Sequence, residues 1–310
     1  MASSVPERAP AGDGDELIGR LDGARRQFLA LVEPVRAELH RYCARMTGSV
    51  ADGEDVVQDT LATACYELSQ LKALPPLRPW LFRIAHNRAI DHWRRERLRQ
   101  AEPLDVAAEM PDDAAREPDE QLARHQAVRA AISGFLALPA TQRACLILKD
   151  VLDHSLDEIA AELGLSVPAV KASLHRARAA LPAERGEPPG RATLAVSTHL
   201  QRYAALFNAR DWDGVRALLA DDARLDLVSR RKLVGREVGT YFSNYDGVPG
   251  WRVDPAWLDG GEVLAVRLAA GDARPAYIIV LGWRDDRVRT IRDYRYVPYI
   301  VREASLHRSG

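Results

Sequence analysis

Basic side chains at helical spacing stand out in this chain of 310 residues. In "SLDEIAAELGLSVPAVKASLHRARAAL", residues 155–181, Lys171, His175 and Arg178 flank a narrow apolar stripe, and Arg176 lies on the far side. Such side chains can contact the phosphates and base edges of a nucleic acid. An ordinary helical hairpin with a solvated basic face would give the same pattern, so this segment alone leaves both interpretations open.

A second basic segment, "RPWLFRIAHNRAIDHWRRERLRQ", covers residues 78–100. On a helix its arginines and Asn87 gather on one side, and the apolar residues gather on the other. Trp80 falls among the polar residues, where an exposed indole can stack on an unpaired base. The alternative is a solvated surface helix whose tryptophan belongs to the core.

Acidic side chains mark the segment just upstream, "DGEDVVQDTLATACYEL" at residues 52–68. Asp52, Asp55 and Asp59 project from the side opposite the apolar residues. The pattern indicates either an acidic docking face for a basic protein partner or simple solvation.

Local signals predict two short helices in the 155–181 segment. Ser155 and Glu158 form a capping box, and Gly164 can end the first helix in the left-handed conformation. Ser166 can cap the second helix, with Pro168 in its first turn. This is a helix-turn-helix whose second helix presents its basic side outward.

Changes in composition divide the chain into helical, linker and mixed segments. Eight acidic residues and one arginine occupy 101–120, which predicts a strongly negative linker, and "AERGEPPGR" predicts a second one. Beyond it, two helices and then strands with turns at Gly260–Gly261 and Asp285–Asp286 are expected. The predicted divisions are a disordered tail at 1–15, a helical domain at 16–100, the acidic linker at 101–121, a helical domain at 122–182, a linker at 183–191 and an α+β domain at 192–304.

Composition excludes several classes of protein. The chain has 43 basic and 44 acidic side chains, so net charge alone does not indicate nucleic-acid binding. The three cysteines are far apart, and we expect no zinc site, other metal site or disulfide framework. No cofactor is expected. No run of 18 apolar residues occurs, and we expect a cytoplasmic protein that makes no contact with a membrane.

Taken together, three blocks in order resemble a known family. "GEDVVQDTLATACYEL", "RPWLFRIAHNRAIDHWRRER" and "LPATQRACLILKDVLDHSLDEIAAELGLSVPAVKASLHRARAAL" resemble the extracytoplasmic-function (ECF) group of sigma-70-type sigma factors. The resemblance implies a multidomain chain with two all-α sigma domains, a region 2 helical bundle and a region 4 helix-turn-helix. It also implies a factor that binds core RNA polymerase and directs it to promoter DNA.

The resemblance assigns roles to individual residues. Asp55, Gln58 and Asp59 match the motif that docks on the clamp helices of the β′ subunit, and residues 138–152 should meet the β flap. Contacts with the −35 element fall to Lys171, Ser173, His175, Arg176 and Arg178. Contacts with the −10 element fall to Trp80, Arg83, Asn87, Arg88, Asp91, Arg94 and Arg95.

The C-terminal segment "YAALFNARDWDGVRALLADDARLDL" resembles the SnoaL-like branch of the NTF2-like superfamily and implies an α+β cone. A module that regulates the sigma domains in cis is the favoured interpretation, with a small ligand in the cone left open. An enzyme is not expected, although His199, Asp226 and Asp293 could supply an acid–base pair. The alternatives for the whole chain are a one-component helix-turn-helix regulator and a SnoaL-like enzyme fused to a DNA-binding module.

Overall fold

The computed structural model describes residues 12–101, 135–181, 196–245, 250–258, 261–269, 272, 274–303 and 307–308. Residues 1–11 of the predicted tail, the acidic linker beyond Ala101 and the linker at 183–191 lie outside them. Helical structure begins at Gly12, inside the segment for which a tail was expected.

Three helices form the first helical unit. They are α1 (Gly12–Thr47), α2 (Val50–Leu68) and α3 (Leu77–Ala101). Ser49 starts α2 by accepting a hydrogen bond from the amide of Asp52. At Gly53, α1 and α2 come so close that an added Cβ would lie 2.5 Å from the Cα of Ala44. Apolar residues such as Leu39, Tyr42, Val57 and Phe82 fill the space between the helices.

The second helical unit contains α4 (Ala140–Leu146), a π-helical turn (Ile147–Val151), α5 (Leu156–Leu163) and α6 (Val167–Ala180). The local signals here are confirmed. Ser155 and Glu158 form the reciprocal capping box, Gly164 has φ 66°, and Ser166 accepts from the amide of Ala169. The predicted helix-turn-helix is therefore set by the side-chain caps at two helix starts and by the left-handed glycine at one helix end. The two helical units share one apolar core.

The C-terminal unit has the expected α+β composition. It contains α7 (Thr198–Asn208), α8 (Trp212–Ala217), a 3-10 helix (Gly235–Tyr245) and α9 (Ile300–Glu303). The strands are β1 (Leu219–Leu227), β2 (Arg231–Val234), β3 (Arg252–Leu258), β4 (Gly261–Arg267), β5 (Tyr277–Arg284), β6 (Arg287–Asp293) and β7 (His307–Arg308). Strand β2 was not predicted from the sequence, and it pairs with β1 as a short hairpin.

One mixed sheet, in the order β2-β1-β6-β5-β4-β3-β7, contains all of these strands. Strands β3 to β6 form the expected antiparallel meander, whereas β1 lies parallel to β6. The predicted turn between β5 and β6 is confirmed, because Asp285 and Asp286 both have positive φ, 48° and 62°. Side chains alternate between the two faces, so Asp293 points inward with Leu227 while Arg292 points outward with Asp226.

Both faces of this sheet are covered. Its inner face packs against α7, α8 and the 3-10 helix around Phe207, Tyr245 and Ile279. On the outer face, Ala256, Ile278 and Tyr294 share a cluster with Val50 of α2, and Ala37 of α1 packs against that cluster. The C-terminal unit is therefore docked on α1 and α2 by an apolar contact.

The close approach of α1 and α2 at Gly53 yields a stability prediction. We expect Gly53→Ala to destabilise the chain by about 1–3 kcal/mol, because the new methyl group meets backbone atoms that cannot turn aside. Urea unfolding followed by circular dichroism measures the effect. Gly19→Ala is the control, since nothing lies within 4 Å of its Cβ position, and it should leave stability unchanged or slightly higher. Equal stability of the two variants would contradict the packing described here.

Candidate nucleic-acid and polymerase interface

The outward side of α6 is strongly basic. Val170, Leu174 and Ala177 are buried and hold the helix against the unit's core. Lys171, His175, Arg176 and Arg178 are all exposed. The apolar stripe thus orients the helix so that four of the five predicted −35 contacts face outward.

Ser173 is the exception among the predicted −35 contacts. Its side chain is only 4% exposed and hydrogen-bonds Cys145 of α4, whose pKa is nonetheless raised to about 11 by burial. Ser173 lies close to the apolar stripe, which places it on the inner side of the helix. The expectation that Ser173 is available to DNA is therefore wrong for this structure.

A groove of about 630 Å³ runs beside the basic face of α6. Its walls combine Lys149, Lys171, His175 and Arg178 with the apolar side chains of Leu156 and Leu174. Arg178 makes two hydrogen bonds to the carboxylate of Asp150, at 2.6 and 3.2 Å. This pair is exposed, so Arg178 can exchange Asp150 for a phosphate at small cost.

Helix α3 presents the second basic surface. Arg83, Asn87, Asp91, Arg94 and Arg95 are exposed, and Arg88 is half-buried. The ion pairs along this face are long, with Arg94 3.9 Å from Asp91 and Arg95 3.9 Å from Asp59. These arginines are therefore held only weakly by neighbouring acids.

Trp80 does not belong to that surface. Its side chain is 5% exposed, and its indole N–H donates to Glu67 of α2 at 3.2 Å. The first turn of α3 packs against α2, so a tryptophan there is enclosed although a helical projection places it among polar residues. The expectation of an exposed stacking tryptophan is wrong for this structure.

The predicted polymerase contacts lie along one side of α2. Asp59 is exposed, whereas Asp55 and Gln58 are half-buried. The Gln58 amide lies 3.5 Å from Glu54. Asp55 is bound by Arg292 of β6, which donates from Nη2 to Oδ1. Burial raises the pKa of Asp55, and the nearby Arg292 offsets this only in part. The C-terminal unit thus occupies one of the three predicted contacts.

A buried polar network lies next to that ion pair. Arg36 of α1 donates to Glu54 at 2.9 Å, to the Tyr299 hydroxyl at 2.8 Å and to Ser229 at 2.6 Å. Tyr299 in turn donates to Glu54 at 2.6 Å. The side chain of Glu54 is fully buried, and Arg36 and Tyr299 supply hydrogen bonds to its carboxylate. Two elements of the first helical unit and two segments of the C-terminal unit meet in this network.

Sequence reasoning missed Arg36, Glu54, Arg292 and Tyr299. One signal was available in β4 and β5, where "VLAV" and "YIIVL" are apolar at consecutive positions. A strand with one solvated face alternates, whereas a continuous apolar run indicates burial on both faces. Those apolar runs indicate that a second layer covers the outer face of the sheet, and in the structure α1 and α2 form that layer.

The three residues considered as an acid–base pair have different environments. His199 lies 3.3 Å from Asp286 at the end of the β5–β6 hairpin, and Asp226 lies 3.6 Å from Lys232. Asp226 is on the outer face of the sheet, so it does not point into the cone with Asp293. Asp293 is fully buried inside, where it accepts from the hydroxyls of Tyr241 and Tyr245.

Burial raises the pKa of Asp293, and the hydrogen bonds from its tyrosine neighbours offset only part of that effect. Within the described residues, no group of three His, Cys, Asp or Glu side chains could hold a metal ion. None of the described helices combines the length and the apolar character needed to cross a membrane.

Comparison with known families matches the two helical units. Residues 31–99 match the family "Sigma-70 region 2", and residues 130–181 match "Sigma-70, region 4". The chain is 34% identical to the ECF RNA polymerase sigma factor SigG of Mycobacterium tuberculosis over 65% of its own length. It spans 61% of the length of SigG.

A shorter relative is covered almost completely. RNA polymerase sigma factor CnrH of Cupriavidus metallidurans is 37% identical over 55% of this chain and 94% of that protein. Among solved structures, the Mycobacterium tuberculosis extracytoplasmic function sigma factor SigJ covers 86% of this chain and 95% of its own, with 21% identity and a TM-score of 0.34.

An NTF-2 like protein from Burkholderia xenovorans covers 31% of this chain and 78% of its own, with 21% identity and a TM-score of 0.26. The family assignment follows from sequence relatives such as the ECF RNA polymerase sigma factor SigF of Caulobacter vibrioides, which is 35% identical over 54% of this chain and 90% of that protein. The chain belongs to the family of ECF RNA polymerase sigma factors.

Proposed function

We propose that this chain is a promoter-specificity subunit that binds core RNA polymerase, reads the −35 element with α6 and reads the −10 element with α3. The observation that carries the proposal is the pair of exposed Arg-rich helix faces in the segments matched to regions 2 and 4. The C-terminal domain regulates this activity in cis.

Helix α6 reads the −35 element from the major groove. The groove admits one helix, and Arg or Lys side chains can donate to guanine N7 and O6. Arg176 and Lys171 are exposed on α6 and have room to approach base edges, and Lys171 also borders the groove described above, together with His175 and Arg178. The burial of Ser173 removes it from this set.

Helix α3 acts on the −10 element as single strands separate. Exposed Asn87 can hydrogen-bond a base edge, and the exposed arginines can neutralise phosphates. Extracting a base from the stack costs a few kcal/mol, so a binding pocket must offset that cost. Trp80 takes part only if it leaves the contact with Glu67.

Core polymerase is needed because the free chain has little electrostatic attraction for DNA. Its formal net charge is −1, and neutralisation of phosphates by basic groups supplies most non-specific affinity. On the polymerase side, Asp55, Gln58 and Asp59 contact the β′ clamp helices. Residues 138–152, which include the exposed Asp150 and Val151, contact the β flap.

The C-terminal domain regulates by competing for the polymerase-binding side of α2. Asp55 cannot accept a hydrogen bond from the clamp helices in the same way while Arg292 occupies it. A covalent connection keeps the competing domain at about millimolar local concentration, so even a weak contact stays largely occupied. Core polymerase must therefore displace or shift the domain, and this shift is the step at which activity is controlled.

Transcription in a purified system tests the central proposal. We expect initiation at a defined promoter only when the chain and core polymerase are both present, because neither reads the promoter alone. Tight and specific binding to that promoter without core polymerase would instead make the chain a one-component helix-turn-helix regulator.

Substitutions on α6 test the −35 assignment. Arg176→Ala should reduce use of the −35 element by about 1–3 kcal/mol if Arg176 contacts a base, and by a smaller, sequence-independent amount if it contacts a phosphate. Promoter variants with altered −35 bases distinguish these results. Arg224→Ala, an exposed arginine on β1, is the matched control and should have no effect. The assignment would be overturned if the effect of Arg176→Ala changed with the bases of the −10 element and not with those of the −35 element.

Removal of the competing guanidinium tests the regulation. We expect Arg292→Ala to tighten binding of core polymerase about two- to fivefold, because a partly exposed ion pair contributes up to about 1 kcal/mol to docking. Fluorescence anisotropy with labelled chain measures the affinity, and Arg224→Ala is again the control. Weaker binding in Arg292→Ala would show that Arg292 assists the polymerase, which is the opposite of the proposed competition.

A further inference from the structure

A cluster of five charged side chains joins region 2 to region 4 in this structure. Its members are Glu38 of α1, Arg78 of α3, His154 in the turn before α5, and Glu158 and Glu162 of α5. We call this cluster the clasp. The clasp residues of region 2 and those of region 4 are more than 70 positions apart in the sequence. None of them is among the residues predicted to contact DNA or polymerase.

Arg78 bridges the two regions with one guanidinium. It donates to both oxygens of Glu38, at 2.5 and 3.2 Å, and to Glu158 at 3.0 Å. The fork geometry of arginine suits such a bidentate contact with a carboxylate. Glu158 therefore has two roles, since it also completes the capping box of α5.

His154 lies at the centre of the clasp, with a side chain only 1% exposed. Its Nδ1 is 2.8 Å from Glu162, and its Nε2 is 2.7 Å from Glu38. A neutral imidazole has one N–H, so one of the two carboxylates would face a ring lone pair. A protonated ring donates to both carboxylates and removes that repulsion.

The nearby Arg78 opposes this protonation, because its Nη2 lies 2.7 Å from Nε2 of His154 and both groups donate to Glu38. Burial also disfavours the charged ring. Hydrogen bonds to Glu162 and Glu38 outweigh these effects and raise the pKa of His154 to about 9. Burial likewise acts to raise the pKa of Glu38, but the bonds from His154 and Arg78 lower it to about 2.

Other contacts also join the two regions. Phe82 of α3 packs edge-on against the His154 ring, with 5.4 Å between centroids. Leu136 lies against Gly48 at the end of α1, where an added Cβ would be 2.6 Å from its side chain. Arg143 of α4 lies over the Trp93 ring of α3, 5.8 Å from its centroid. The clasp therefore closes the polar edge of an apolar contact between the two regions.

This arrangement is too compact for both promoter elements. Elements about 25 base pairs apart are about 85 Å apart on B-DNA, at about 3.4 Å per base pair. Asn87 is nine positions from Arg78 on α3, which is about 13 Å along a helix at 1.5 Å per residue. Glu158, bonded to Arg78, belongs to the same helix-turn-helix as Arg176. The two reading faces are therefore separated by much less than the promoter requires.

We propose that the clasp holds the two DNA-reading regions in a closed state, and that the chain must open the clasp before it can bind both promoter elements. Only the second part, that the clasp must open before both promoter elements are bound, rests on the proposed function. The closed and open states themselves are a property of the free chain.

The closed state should weaken as pH rises. Glu38 from α1, Arg78 from α3 and Glu162 from α5 face the ring of His154, and Lys149 donates to the His154 carbonyl at 3.0 Å. A histidine whose pKa is raised in the closed state stabilises that state fully below its ordinary pKa of about 6.5. The contribution is lost as pH rises through the closed-state pKa of about 9.

A distance measurement between the regions tests the clasp in the full chain. One spin label goes on Cys65, which is exposed whereas Cys43 and Cys145 are buried, and the other goes on Ala161→Cys of α5. We expect one short-distance population at pH 7. In Glu38→Gln and in His154→Gln, the ratio of long to short distances should rise at least tenfold.

The same rise should occur in the otherwise unchanged chain between pH 7 and pH 10, and the pH dependence should be absent from His154→Gln. His199→Gln, which changes a histidine far from the clasp, is the matched control and should keep the closed distribution. Circular dichroism verifies that each variant is folded, and the pH titration needs no clasp variant.

Identical distance distributions in the unchanged chain at both pH values, or equal opening in His199→Gln, would overturn the clasp. Because this measurement uses neither polymerase nor DNA, it separates the clasp from the proposed function. An opened variant that gains no promoter binding with core polymerase would refute the requirement for opening while leaving the closed state in place.

Discussion

The apolar outer face of the C-terminal sheet has to be covered, and the structure covers it with α1 and α2. Ala256, Ile278 and Tyr294 would otherwise be exposed to water, and burial of apolar surface favours docking by roughly 25 cal/mol per Å². The docked surface also encloses the charge of Glu54, which Arg36 and Tyr299 satisfy. Because α2 carries the predicted polymerase contacts, this one packing requirement links the C-terminal domain to the sigma domains.

Two contacts therefore give the free chain a compact arrangement. In one, Arg292 binds Asp55 from the C-terminal side; in the other, the clasp joins region 2 to region 4. The Arg292–Asp55 pair is partly exposed, as are Arg78 and Glu158 of the clasp, so these charged groups can exchange their present partners for new ones. The basic faces of α3 and α6 remain exposed throughout. We infer that promoter binding is controlled by the positions of the domains, while the DNA-reading surfaces of α3 and α6 do not change.

Local structure was predictable from the sequence where one or two residues decide it. Ser155, Gly164 and Ser166 fixed the helix ends of region 4, and Asp285–Asp286 fixed a hairpin turn. The exposure of a side chain was predictable where its helix has a single buried apolar stripe. Arg176 is an example, since it lies on the side of α6 away from that stripe. Trp80 and Ser173 were placed on the wrong side because helical projection ignores the neighbouring elements that enclose them. Arg292, Tyr299 and the clasp depend on contacts between distant segments. The apolar runs in β4 and β5 indicate that a second layer covers the sheet, but they do not identify the residues that meet there.

Hydrogen exchange on the free chain and on its complex with core polymerase tests the competition at α2 most directly. Backbone amides of residues 50–60 and 294–301 lie on the two sides of the docked surface. We expect residues 294–301 to lose protection when core polymerase binds, while residues 50–60 stay protected because the polymerase replaces the C-terminal domain. Full protection of both segments in the complex would contradict the account, since polymerase and the C-terminal domain would then occupy α2 together.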